Sequence, residues 1–180
     1  MRDPWLRDAE PATEYHAVSV QPKRSFILRM TTGADLWMAL QRFAIDRRIR
    51  FAKIHAAFMG GLQPARFLVW VPDTTDRQNW HHEEPMKVDN LSMILAMGGM
   101  IHPRQIDGNE QPFPAIHFVA GGAWNVPTVG GHLLEGSIVK GAFEVFVTEI
   151  GGIDVIYGPP DPNNFPENWY REIEQTEKEQ

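Results

Sequence analysis

The sequence predicts an α+β fold, a mainly antiparallel β-sheet with one main helix. β-Branched and aromatic residues occur in short runs that glycine and proline separate, and the chain has 15 glycines and 14 prolines. Only one clear segment shows apolar residues at helical spacing. Short connections between the runs favour strands that pair with their neighbours. A length of 180 residues with 43% hydrophobic residues is enough for one domain with its own core.

The first elements are two strands and a helix. Strands are expected at residues 15–20 and 25–30. Thr32 and Asp35 have the spacing of a capping box, so a helix should follow them and run to about Asp46. Its buried stripe consists of the apolar residues that recur at the helical period, Leu36, Leu40, Phe43 and Ala44.

Most of the remaining chain is expected to form strands. The densest β-branched and aromatic runs predict strands at 51–58, 65–71, 91–101, 114–120 and 153–157. Polar residues between them predict a surface loop at 72–87 and a turn region at 103–112. A short acidic helix is expected at 166–180, where a proline occupies the first helical position. These elements divide the chain into an N-terminal arm (1–22), one domain (23–158) and an acidic C-terminal tail (159–180).

A glycine–histidine turn before a long strand is the most informative segment. Gly130 and Gly131 allow a close approach of the backbone, and His132 follows them directly. The β-branched run at 137–150 is longer than most strands, so Gly141 should mark a bulge or a bend. A histidine in this position predicts a site on a β scaffold.

Charge and composition restrict the classes of partner. The formal net charge of −6 disfavours nucleic acid as a partner unless basic residues cluster. One basic cluster exists, which we interpret as offsetting the negative end of the helix: Arg42, Arg47, Arg48, Arg50 and Lys53. No transmembrane segment or secretory signal is visible, and no cysteine is present, which together favour the cytoplasm.

Four segments give the chain its resemblance to a known family. They are residues 26–36, residues 51–62, the run Leu91-Ser-Met-Ile-Leu-Ala-Met-Gly-Gly99, and Val129-Gly-Gly-His-Leu133 with its continuation to Glu149. Together they resemble the plant and prokaryote conserved (PPC) domain family over roughly residues 24–157. The resemblance implies an α+β subunit that forms homotrimers by sheet packing. Stand-alone prokaryotic members are described as DNA-binding candidates or resemble metal-binding proteins, and the AT-hook Arg-Gly-Arg-Pro of plant members is absent here.

The resemblance also points to a histidine site. His117 and His132 match two of the family's histidines, whereas Ala115 occupies the place of a further one. His55, on another expected strand, is a candidate third ligand, since zinc sites that catalyse reactions commonly use three protein ligands and water. The alternative is that these histidines are structural and bond to backbone carbonyls.

Carboxylates and a tryptophan complete the candidate site. Glu135 and Glu144 are candidate general bases beside a metal-bound water, although for Glu144 we favour a pair with an arginine such as Arg29 or Arg66. Trp124, with the two glycines at 130 and 131, is a candidate for ligand contact.

Two functions therefore remain open. The first is a small-ligand or metal-binding protein, with zinc as the candidate metal and a metal-assisted lyase, hydratase or hydrolase activity left open. The second is a DNA-binding or regulatory assembly module in which the histidines are structural.

Overall fold

A computed structural model describes residues 17–58, 60–72, 80–122, 127–160 and 166–173. The chain divides into two compact units. The larger comprises Gln21–Val69 and Glu83–Gly151, and the smaller contains the described residues 17–20, 70–72, 80–82, 152–160 and 166–173. Trp124 and most of the predicted arm lie outside the described residues.

The larger unit is a ten-stranded antiparallel sheet with one helix, α1 (Leu36–Arg47), as predicted. The strands are β1 (Gln21–Met30), β2 (Ala52–Phe58), β3 (Gly61–Leu62), β4 (Ala65–Leu68), β7 (Met86–Val88), β8 (Ser92–Ile106), β9 (Asn109–Gly122), β10 (Val129–Leu133), β11 (Val139–Lys140) and β12 (Phe143–Gly151). Eight of them follow the order β1-β12-β2-β8-β9-β10-β4-β7, while β11 pairs with β3, which also pairs with β8.

The smaller unit contains two hairpins. One pairs β5 (Trp70–Pro72) with β6 (Trp80–His82), and the other pairs β13 (Ile153–Pro160) with β14 (Pro166–Glu172). The helix predicted at 166–180 is therefore wrong over β14. The aromatic pair Trp169-Tyr170 suits a strand, and pairing with β13 outweighs the local helix signal.

The core lies between α1 and one face of the large sheet. Leu36, Leu40 and Ala44 of the predicted stripe are fully buried, and Phe43 packs at the edge of the core. Along β12 burial alternates residue by residue, so Phe143, Val145 and Val147 face the core. The opposite side of this sheet, which we call the outer face, carries the intervening residues.

The cap of α1 differs from the prediction. Asp35, rather than Thr32, is the N-cap, and its side chain accepts a hydrogen bond from the Met38 N–H. The second carboxylate oxygen of Asp35 accepts from the Gly136 N–H at 2.6 Å. Thr32 donates instead to the Gly141 carbonyl at 3.1 Å. One aspartate thus fixes both the start of the helix and the turn that follows β10.

Other boundaries also differ from the prediction. Residues 17–20 form no strand, and β6 and the first two residues of β7 lie within the predicted surface loop. The predicted turn region at 103–112 does contain a turn, but only at Asp107-Gly108, which have positive φ; β8 and β9 continue through the rest of the region. Pro103 and Pro112 face each other in the ladder, so their missing N–H donors fall at one rung. Gly141 breaks the long run as expected, with φ of 73°.

Candidate functional site: a histidine pair on the outer face

The structure brings His117 and His132 together. They are direct partners in the register of β9 and β10, so their side chains project from the same face of the sheet. The two imidazole rings lie 5.4 Å apart between centroids, at an interplanar angle of 84°. His117 is exposed and His132 is half-buried. The pair lies on the outer face, where a ligand or a second protein surface can reach it.

Two glycines hold β10 close to its neighbours. A Cβ atom at Gly130 would fall far inside van der Waals contact with the Phe118 carbonyl oxygen, and one at Gly131 would collide with the Leu68 carbonyl oxygen. Both positions therefore need glycine for the strand packing that aligns His132 with His117. The predicted role of these glycines in contacting a ligand stays a prediction.

Phe113 extends the pair into an aromatic cluster. Its ring stacks with that of His132 at 6.3 Å and 16°, and it meets Trp37 of α1 edge-on at 5.5 Å. Phe113, Ala115 and His117 alternate along β9 and so share the outer face. The alternating pattern of β9 includes Phe113, but the predicted strand began one residue after it.

His102 lies at the far side of this cluster. Its ring is 5.7 Å from that of Phe113, and its Nδ1 lies 3.1 Å from the Pro103 carbonyl oxygen, which can only accept. Burial lowers the pKa of His102 below 6.5; the bond to Pro103 opposes that shift and the charge of Arg104 adds to it. The Nδ1 proton fixes the tautomer, so Nε2 carries the lone pair in the neutral ring.

His55 is placed apart from the pair. It lies on β2, and β8 separates that strand from β9. Its Nε2 is 2.9 Å from the Thr148 hydroxyl oxygen on β12. Gly98 of β8 lies opposite His117 and leaves open space on this side of the pair, since an added Cβ would meet nothing nearer than 3.8 Å. The role of His55 as a third ligand stays a prediction.

The two candidate carboxylates are also apart from the histidines. Glu144 pairs with Arg29 at 3.1 Å, which confirms the arginine pairing considered as the alternative. Glu135 is exposed in the turn after β10, where its backbone carbonyl accepts from Arg66. Their catalytic role stays a prediction.

A complete zinc site needs more donors than the pair supplies. Within the described ranges, no group of three histidine, cysteine, aspartate or glutamate side chains could hold a metal ion. Two imidazoles fall short of the three or four protein ligands that zinc usually takes. The described residues of one chain therefore do not fit a zinc ion by themselves.

Replacing Ala115 with histidine is expected to create a zinc site. Position 115 lies on the same face as His117, two residues before it, so a third imidazole would join the pair. We expect zinc affinity to rise at least about 10-fold, because removing even supporting groups of a zinc site costs about that much. Calorimetry and the absorption spectrum of bound Co²⁺ would measure this, with Ala96→His, on the neighbouring strand β8, as the control. Equal zinc affinity in the wild type, Ala115→His and Ala96→His would contradict the placement of position 115 beside the histidine pair.

Exposed apolar side chains share the outer face with the histidine pair, from β1 and β12 to β8 and β9. Five large residues of the outer face are between 37% and 65% exposed: Ile27, Met93, Leu95, Val119 and Phe146. Small residues, Ala96, Gly98 and Ala115, lie between them on β8 and β9. Exposed apolar side chains that gather on one face are typical of interaction sites in soluble proteins.

No helix among the described residues is long and apolar enough to cross a membrane.

Comparison with known proteins gives a family match and several related structures. The family model described as the Plants and Prokaryotes Conserved (PCC) domain matches residues 17–151. No curated protein matches the chain. A PPC protein from Pyrococcus horikoshii has a TM-score of 0.66 at 18% identity, covering 84% of this chain and 95% of its own.

Two further structures share the fold. A metal-containing protein from Archaeoglobus fulgidus has a TM-score of 0.62 at 23% identity, covering 83% of this chain and 95% of its own. A candidate DNA-binding protein from Ralstonia eutropha JMP134 has a TM-score of 0.57 at 20% identity, covering 79% of this chain and 89% of its own. At these identities the likeness supports the fold alone.

Proposed function

Because this chain belongs to the Plants and Prokaryotes Conserved domain family, matched over residues 17–151, we propose that it is an assembly module. It joins copies of itself as a homotrimer through the outer face of its large sheet. The observation that supports this most is the group of exposed apolar side chains on that face, with Ile27 and Leu95 about two-thirds exposed. Burying such side chains between subunits is favourable, at about 25 cal/mol per Å² of apolar surface.

The polar residues of the outer face are compatible with burial against another copy. Glu144 already pairs with Arg29, and the hydroxyl of Thr148 bonds to His55 and Ser25. Burying polar groups that already have partners within their own chain costs less free energy than burying unpaired ones. The small residues at the centre of the face allow a second sheet to pack closely.

Charged substitutions on the outer face are expected to break the assembly. In Ile27→Glu/Phe146→Glu, two carboxylates would have to be buried without partners, which costs several kcal/mol. Light scattering on an eluting column should give the mass of one chain, 20.5 kDa, while circular dichroism stays that of the folded protein.

Met38→Glu is the matched control, since Met38 is 49% exposed on α1 and does not belong to the outer face. This variant should keep the wild-type mass. A wild-type mass in Ile27→Glu/Phe146→Glu would refute the outer face as the interface.

A second candidate function is binding of a small ligand by the histidine pair. The geometry of His117 and His132 favours it, because two imidazoles 5.4 Å apart on an accessible face offer nitrogen donors and acceptors to one ligand. In an assembly through the outer face the pair would lie between subunits, and a neighbouring copy would supply the remaining contacts. Glu144 is held by Arg29, so we propose binding rather than catalysis at this site.

A further inference from the structure

A groove of about 410 Å³ lies between the C-terminal end of α1 and the turn end of the β8–β9 hairpin. We call it the helix–hairpin groove. Its base consists of three buried apolar side chains, those of Ala44, Ile49 and Pro103. Its more accessible walls are Ile45, which is 48% exposed, and the half-buried Pro112. The volume lies within the range of small-ligand pockets, about 300–1,000 Å³.

Polar contacts hold the two sides of this groove at a fixed separation. The Gln41 side chain on α1 donates to the Pro112 carbonyl of β9 at 3.2 Å. Arg50, shortly after the helix, donates from Nε and Nη2 to both carboxylate oxygens of Glu110 at 2.7 and 2.9 Å. A bidentate pair of this kind fixes geometry as well as charge. The helix–hairpin groove is therefore formed before any ligand arrives, which lowers the cost of binding.

The charges that line the groove suit a ligand with one negative charge. Among the described residues, they are those of Arg48, Arg50 and Glu110. Two guanidinium groups and one carboxylate give the lining a single net positive charge, and Glu110 already occupies Arg50. Asp46 does not enter this balance, because it lines a separate groove together with Arg47. A monoanion would neutralise the lining, with Arg48 as its contact.

The negative end of the α1 dipole would oppose an anion, but its carbonyl groups are already bonded. The carbonyls of Ala44 and Ile45 accept from the backbone N–H groups of the two residues that follow the helix, at 2.8 and 3.1 Å. The Arg47 carbonyl accepts from Arg24 at 3.0 Å. The charge of Arg48 itself offsets the dipole further, as a cation at the last turn does. The helix end thus leaves room for an anionic group beside Arg48.

We propose that the helix–hairpin groove binds a small monocarboxylic acid with an apolar body. The carboxylate would pair with Arg48, whose planar guanidinium matches it in shape and charge. The apolar body would lie against Ile45 and Pro112. A doubly charged phosphate ester should bind more weakly, because Glu110 lies in the same lining and repels the second charge. The groove is on the helix side of the sheet, so this proposal goes beyond assembly through the outer face and does not depend on it.

Saturation-transfer nuclear magnetic resonance on the full chain, with phenylacetate as the probe, tests the proposal. We expect a dissociation constant of about 1 mM, reasonable for an acid of this size. Phenylacetamide has the same shape without the charge and should bind about 5-fold more weakly or worse, as should phenyl phosphate. Arg48→Asn should weaken phenylacetate by a similar factor and leave phenylacetamide unchanged. Ile45→Ser should weaken both ligands, because it removes part of the apolar wall.

Arg47→Gln is the matched control, since Arg47 is adjacent in sequence but lines the other groove. It should keep the wild-type affinity for both ligands. Arg48→Gly, which suits the left-handed backbone at this position, should repeat the loss seen in Arg48→Asn without loss of stability. A role in folding alone would not separate the acid from its amide in this way.

Several results would overturn the proposal. They are no binding of phenylacetate at about 10 mM, equal binding of phenylacetamide, an equal loss in Arg47→Gln and Arg48→Asn, and tighter binding of phenyl phosphate. The last would assign the groove to phosphate esters instead. Ligand binding is read from saturation transfer and trimer formation from mass, so this proposal and the proposed assembly fail separately.

Discussion

Asp35→Ala is expected to destabilise the protein by about 2–4 kcal/mol. Losing an N-cap side chain costs about 1 kcal/mol, and leaving the Gly136 N–H without its acceptor costs about 1–3 kcal/mol more. For a domain of this size, the midpoint of thermal unfolding should fall by roughly 5–15 °C. Urea unfolding followed by circular dichroism would measure the change.

Two variants separate the contributions of Asp35. Asp35→Ser keeps a capping oxygen, but its side chain is too short to hold Gly136 as well. Its stability should therefore lie between that of Asp35→Ala and that of the wild type. Asp46→Ala removes an exposed partner of Arg42 on the same helix and should change stability by less than about 0.5 kcal/mol. If Asp35→Ala were as stable as Asp46→Ala, the double anchoring by Asp35 would be wrong.

Gly130→Ala is expected to have the second large effect, about 1–3 kcal/mol or more of lost stability. The added methyl group would overlap the Phe118 carbonyl oxygen, which belongs to the sheet backbone and has no freedom to turn aside. Relief requires β10 to move away from β9. The chemical shifts of His117 and His132 in a nuclear magnetic resonance spectrum should therefore change together.

Gly98→Ala is the matched control for this substitution. Gly98 lies opposite His117 on the other side of β9, yet a Cβ atom there meets only the Ile54 carbonyl oxygen at ordinary contact distance, 3.8 Å. Its stability should stay within about 0.5 kcal/mol of the wild type, the usual range for a surface change. Equal losses in both variants would show that the glycine requirement is not specific to the β9–β10 contact.

Local pattern was enough to predict the fold class and most elements. The helix at 36–47, the strands around 52–58 and 92–101, and the break at Gly141 each follow from periodicity or from glycine placement. The strands around Pro103 and Pro112 could not be predicted in this way, because prolines signal a turn locally. Only the ladder, in which these two prolines face each other, shows why the hairpin tolerates them.

The candidate site was partly predictable for a similar reason. His117 and His132 stood out through the glycine turn and the family resemblance, but their contact depends on register, which sequence does not state. Phe113 was missed because its partners, Trp37 and His132, are distant in sequence. The sequence did not decide whether Glu144 pairs with Arg29 or with Arg66. The strand order decides it, because β1, which carries Arg29, lies beside β12.

The outer face connects the fold to its proposed function. The same sheet that buries one face against α1 leaves apolar side chains on the other, and the histidine pair lies on that same exposed face. A monomer would expose this surface to water, whereas an assembly would bury it and enclose the pair. The oligomeric state therefore decides whether the histidines form a surface feature or a site between subunits.

The mass of the wild-type chain in solution, measured by light scattering at micromolar concentration, tests this most directly. We expect three times the 20.5 kDa of one chain, unchanged on about tenfold dilution. A mass of 20.5 kDa at every concentration would contradict it, since the outer face would then have no partner copy.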